Sequence, residues 1–195
     1  MSYIDVIIRV CESYTHLGDE RLPNGARLIG KLSKGHAADF HILNEGLAPG
    51  ELDALELLIR RRLPTPLREF YQRINGGHFF AHELSMYGLR RSHGTSVDDS
   101  AQPFALERAN VLTRPASAPP NAVLFAFYED DGAQLAAFPD SDRIVAVPRG
   151  EWQVKRVWPD LESALASEFN RLGDFFDLQG RPKRRRMHCS PIYKL

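Results

Sequence analysis

RRLPTPLREFYQRINGGHFF, Arg61 to Phe80, holds two prolines, an apolar stripe at helical spacing, an Asn-Gly-Gly and a His-Phe-Phe in one short run. Thr65 can cap a helix, and Pro66 suits its first position, where a missing N–H leaves no bond unmade. Leu67, Phe70, Tyr71 and Ile74 then fall on one face. Asn75, Gly76 and Gly77 tolerate left-handed backbone, which stops a helix and turns the chain. The stretch therefore reads as architecture (helix, cap and turn) and not as a reactive site.

Working back from it, Leu52, Leu55, Leu58 and Ile59 recur at steps of three and four, predicting a helix over Glu51 to Leu63. It is acidic at its start and ends on Arg60, Arg61 and Arg62, the polarity a helix dipole favours. Pro64 ends it, because the residue before a proline is pushed out of the helical region. Nearer the N-terminus, Ile4, Ile7, Ile8 and Cys11 predict an amphipathic helix over residues 3 to 17, with Gly18 as its stop. Between that helix and Gly50, glycines and Pro-Asn-Gly turns leave room for one short strand around Arg27 to Leu32.

Working forward, Glu83 to Leu89 alternates as a strand, and a short helix opens at Pro103. After a proline-rich connector over Thr113 to Pro120, three strands between Ala122 and Val147 are joined by Asp131-Gly132 and by Pro139 to Asp142. Asp-Gly between apolar runs is a strong hairpin signal. Ala122 to Tyr128 is apolar on both faces, so it belongs inside its sheet. Glu151 to Trp158 reads as a further strand, and Asp160 caps a last helix whose apolar face carries Leu161, Leu165, Phe169, Leu172 and Phe176.

The chain has 195 residues, 43% hydrophobic and 26% charged, enough for one substantial domain with an ordinary apolar core. Formal net charge is zero and the pI is 7.1, so no whole-molecule field draws nucleic acid or an anionic membrane. Cys11 and Cys189 stand near opposite ends, with no spacing that suggests a disulfide framework or a metal knuckle, which fits a reducing cytoplasm. Asp5 and Arg9 break the first apolar run, as a signal peptide would not, and no stretch approaches the roughly 20 apolar residues of a membrane span.

An ordered series runs through the chain: Glu56, Leu63-Pro64, Phe70-Tyr71, Asn75-Gly76-Gly77, Met86-Tyr87-Gly88-Leu89, Val123 to Tyr128, and Val157-Trp158-Pro159-Asp160-Leu161. In order and spacing it resembles the SUKH superfamily, whose members include the yeast cell-wall assembly regulator and many bacterial proteins linked to toxin neutralisation. The likeness implies an α+β fold with a central, mainly antiparallel sheet flanked by helices over residues 47 to 176. An N-terminal extension over 1 to 46 and a basic tail over 177 to 195 lie outside the family's compact domain. It also implies a cytoplasmic, non-enzymatic immunity protein, without cofactor or metal, that neutralises a cognate toxin domain by binding it. A regulatory scaffold for another cellular protein is the alternative the family offers. The motif residues, Trp158 among them, would then be scaffold.

Other residues suggest other chemistry. His78 and His82 stand four apart, which on a helix is a zinc-site spacing and the basis of a small metal protein or enzyme. In extended chain the same spacing separates them by about 13 Å, too far for one ion. No P-loop, dinucleotide fingerprint or nucleophile elbow is present. Arg181 to Arg186 could touch phosphates, but in a chain of zero net charge such a run reads as a solvated end, so nucleic acid is not the expected partner. Glu129, Asp130, Asp131, Asp140 and Asp142 crowd successive turns and could face a basic partner such as a nuclease toxin. Those turns lie at opposite ends of the strand between them and need not form one surface.

Overall fold

The computed structural model describes residues 2–32, 38–183 and 189–192. In chain order the elements are α1 (Tyr3–Glu12), a 3-10 turn (Thr15–Leu17), β1 (Asp19–Arg21), β2 (Arg27–Lys31), β3 (Asp39–Glu45), α2 (Pro49–Ile59), α3 (Thr65–Arg73), β4 (Ile74–Phe79) and β5 (Leu84–Met86). There follow α4 (Val97–Ser100), a π-helical turn (Arg108–Leu112), β6 (Val123–Tyr128), β7 (Gln134–Phe138), β8 (Ser141–Val147), β9 (Arg156–Trp158) and α5 (Leu161–Gly173). All nine strands form one antiparallel sheet in sequence order, each pairing with its chain neighbours. The fold is α+β, as the family resemblance implies.

One face of the sheet is covered by helices. Ile4, Ile7 and Cys11 of α1, Leu52 and Leu55 of α2, Leu67, Phe70 and Tyr71 of α3, and Leu165, Phe169 and Leu172 of α5 bury against it in a continuous core. Each such side chain contributes about 1.5–3 kcal/mol when fully buried. α1 begins with a capping box, Ser2 with Asp5, and packs on α5. Asp160 caps α5 by accepting a hydrogen bond from Ser163 N at 2.6 Å. The first 46 residues are continuous with this architecture: β3 pairs with β4, and Ile29, Phe40 and Leu43 join the same core. Two of their three strands, β1 and β3, escape the sequence pattern: β1 is wholly exposed and charged, and β3 is buried on both faces.

The stretch around Arg61 to Phe80 departs from its sequence reading in three ways. α2 ends at Ile59, four residues before the expected end, because Arg60 turns left-handed at φ 56°. The link is then held by Glu56, which accepts from Leu63 N at 2.9 Å and pairs with Arg68 at 3.1 Å. Thr65 is the first residue of α3 and makes no side-chain cap; Pro64 occupies the capping position. Asn75, Gly76 and Gly77 do not turn the chain either, since α3 passes at Ile74 directly into β4 and all three lie inside that buried strand.

The glycines are required by close approach. A Cβ on Gly77 would stand 2.1 Å from the Ile42 carbonyl oxygen, and one on Gly76, at φ 66°, would stand 2.5 Å from that of Tyr87. The two motif blocks interlock here. Tyr71 Oη donates to Tyr87 O at 2.9 Å, Asn75 Nδ2 donates to Leu89 O at 2.9 Å, and Leu89 N donates to Asn75 Oδ1 at 2.7 Å. Gly88 lies against Asn75, where a Cβ would come within 2.5 Å of its carbonyl oxygen. Trp158 packs in the helix-side core, with Arg156 over its ring at 4.8 Å.

Candidate functional groove

The second face of the sheet is only partly covered. Two small apolar clusters, around Leu28 and Ile42 and around Leu124 and Phe138, sit beneath α4 and the π-helical segment respectively, and a groove of 450 Å³ opens beside the second. A row of directly opposed residues crosses this face from β3 to β8: Ile42, His78, Ser85, Phe127, Gln134 and Val147. Phe127 and Gln134 of that row form the groove floor with Tyr87. The Tyr87 and Phe127 rings stack at 5.0 Å, and Phe104 meets Phe127 edge-on at 5.3 Å and stays 43% exposed.

One wall is the segment Phe104 to Thr113. It is tied to β5's end by Gly88 N donating to Phe104 O and by Leu106 N donating to Gly88 O, each at 2.9 Å. Asn110, fully buried, clamps it to β6, with Nδ2 donating to Leu124 O at 2.8 Å and Oδ1 accepting from Leu124 N at 2.9 Å. Its widened π turn carries Arg108 to the rim; such turns concentrate at functional sites. The opposite wall is made by Glu129 and Gly132 of the β6–β7 turn and by Arg149 and Gly150 after β8. Arg149 lies over Gly132, where an added Cβ would come within 2.6 Å of its side chain.

Arg108 and Arg149 are exposed, and neither has an ion-pair partner among the described residues. Burial pushes the Tyr87 phenol above its ordinary pKa, while both arginines pull it down and Glu129 raises it. The phenol is thus a neutral hydrogen-bonding group between two cations and an anion.

The histidines lie beside this site in an arrangement the sequence does not predict. Phe80, Ala81 and His82 all adopt positive φ, between 55° and 73°. This left-handed turn folds the chain back, so the His78 and His82 rings stack at 4.3 Å, not at extended-chain separation. The metal reading gains nothing from it: no group of three or more His, Cys, Asp or Glu able to hold an ion is found among the described residues. His78 Nδ1 lies 2.9 Å from Ser85 Oγ, but the pair is 2% and 0% exposed, out of a substrate's reach. Burial first, and His82 second, lowers the His78 pKa to about 3.

The acidic residues are dispersed. Glu129 lines the groove, Asp130 accepts from Cys189 N at 2.8 Å, and Asp131 accepts from Ala133 N at 2.8 Å. Asp140 accepts from Asn121 Nδ2 at 2.8 Å, at the far end of β7, with Asp142 exposed nearby. Of the basic run, Arg181 and Lys183 are described, held by backbone bonds to Asp177 and Phe175, and Arg184 to Arg186 lie outside the described residues. Sequence reasoning treated Tyr87 as scaffold and passed over Phe104, Arg108, Phe127, Gln134 and Arg149. The usable signals were an aromatic at alternating phase in β6 and a Pro-Arg-Gly turn after β8. No described helix is long and apolar enough to cross a membrane.

No curated protein matches the chain. The model of the SMI1 / KNR4 family (SUKH-1) matches residues 46–167, spanning the interlocked motif blocks and the groove, and the chain belongs to that family.

Proposed function

We propose that this is a non-enzymatic immunity protein that binds a cognate toxin domain with the groove side of its sheet. The observation that carries the reading is the groove itself: an aromatic floor and two arginines without an ion-pair partner among the described residues, on a sheet backed by a continuous core. Aromatic and arginine side chains are the usual anchors of protein interfaces, and a rigid backing limits the ordering lost on binding. The family's known roles, immunity and regulation, are both binding roles. Cys11 and Cys189 are buried and form no disulfide among the described residues, which suits action in the cytoplasm.

The test is co-purification of the full chain with the product of the adjacent gene, followed by protection of cells that express that product. Capture and protection, both weakened by Phe104→Ala, support the reading. A partner that is harmless to cells points to the regulatory alternative, and protection unaffected by changes in the groove removes the groove from the function.

A further inference from the structure

We infer that the groove is built for an extended segment of the partner in which an apolar, preferably aromatic, residue is flanked by carboxylates. The inference rests on the binding reading above and adds the chemistry of the docking segment.

Shape and charge carry it. A groove of 450 Å³ is too small for a domain and large enough for a few side chains. Its floor carries the Tyr87 and Phe127 rings and one wall begins at the exposed Phe104, surfaces on which an aromatic ring gains most. Its charges are at the rim: Arg108 on one wall and Arg149 on the other, against Glu129 alone. Covering two guanidinium groups that have no ion-pair partner among the described residues would leave them desolvated without an anion, whereas a carboxylate can take two parallel bonds from either. In an extended segment successive side chains point to opposite sides. A residue directed at the floor therefore has neighbours directed up and out toward the rim arginines. This is the opposite of the acidic docking surface that a basic toxin would require, and it follows from where Arg108 and Arg149 are placed.

Fluorescence anisotropy on the full chain tests it with three short labelled peptides centred on Glu-Phe-Glu, Lys-Phe-Lys and Glu-Ala-Glu. The expected result is binding of Glu-Phe-Glu at least about tenfold tighter than either of the others, with the charge preference lost or inverted in the doubly substituted R108E/R149E protein. That variant should unfold at the wild-type temperature, since both residues are exposed. Equal affinity for the acidic and basic peptides, or unchanged affinity in the folded double variant, overturns the inference, as does a dinucleotide that displaces the peptide and binds tighter than it. The outcomes separate the two levels: a captured toxin that tolerates R108E/R149E but not Phe104→Ala sinks this inference and leaves the binding reading standing. Peptide discrimination in a chain that protects against nothing does the reverse.

Discussion

Two neighbouring rows of residues cross the sheet from β3 to β8. On the helix side stand Leu43, Gly77, Met86, Ala126, Leu135 and Ala146; one position along, on the other side, stand Ile42, His78, Ser85, Phe127, Gln134 and Val147. The first row is apolar throughout and disappears into one continuous core. The second mixes imidazole, hydroxyl, amide and ring, and ends in an open groove. The same backbone serves both, because side chains alternate across a strand. Stability is concentrated on one face, and the chemistry available to a partner on the other.

The sharpest way to break this division is at Gly77, where the two strands touch. Gly77→Ala drives a Cβ to 2.1 Å from the Ile42 carbonyl oxygen. Because the obstacle is backbone in a buried strand, no side chain can give way, and the loss should be at least about 3 kcal/mol. A urea midpoint that falls with an unchanged slope would measure it; a variant within 1 kcal/mol of wild type, on the scale of about 1 kcal/mol for an average substitution, would mean that β3 and β4 separate readily.

A smaller effect contrasts the faces through their buried histidines. His41 packs among Tyr14, Phe40 and Phe80 in the core, and burial lowers its pKa to about 3, as it does for His78 on the groove side. Unfolded, each titrates near 6.5, so the unfolded state binds more protons below that pH. The stability each contributes is complete above pH 6.5 and is lost as pH falls toward 3, by up to about 1.4 kcal/mol per pH unit. Urea unfolding at pH 7.5 and 5.5 should give a difference that His41→Leu reduces by up to about 1.4 kcal/mol. An identical pH dependence in the variant would show that His41 titrates in the native protein as it does in the unfolded chain, and that burial does not lower its pKa.

What was legible in the sequence was mostly local. Asp160 as a cap, Asp131-Gly132 as a hairpin and the α5 stripe depend on residues near one another, and each is found as expected. Gly76 and Gly77 do adopt positive φ, at 66° and 156°, but inside β4 and not at a turn, and they also meet Ile42 and Tyr87 at close approach, which has the same sequence signature. β3 was missed because a strand buried on both faces loses its alternation. The groove was missed for a different reason. Phe104 and Arg108, Phe127, and Arg149 come from three separate segments and meet only through strand register and the Asn110 clamp. His78 and His82 met through three left-handed residues, none of them glycine, that no turn rule anticipates.

The smallest expected change in stability comes from the groove wall, and it completes the contrast with Gly77. Arg149 is exposed, has no ion-pair partner among the described residues, and rests on Gly132 without filling a cavity. Arg149→Ala therefore removes solvated surface and leaves no buried group unpaired, so the urea midpoint should stay within about 0.5 kcal/mol of wild type. Affinity for the partner should nevertheless fall at least about tenfold, because a guanidinium that finds its anion only in the complex contributes to binding and not to folding. A loss of stability equal to the loss of affinity would mean that Arg149 helps to hold the β6–β7 turn in place, and the separation of a folding face from a binding face would fail at the very residue chosen to define it.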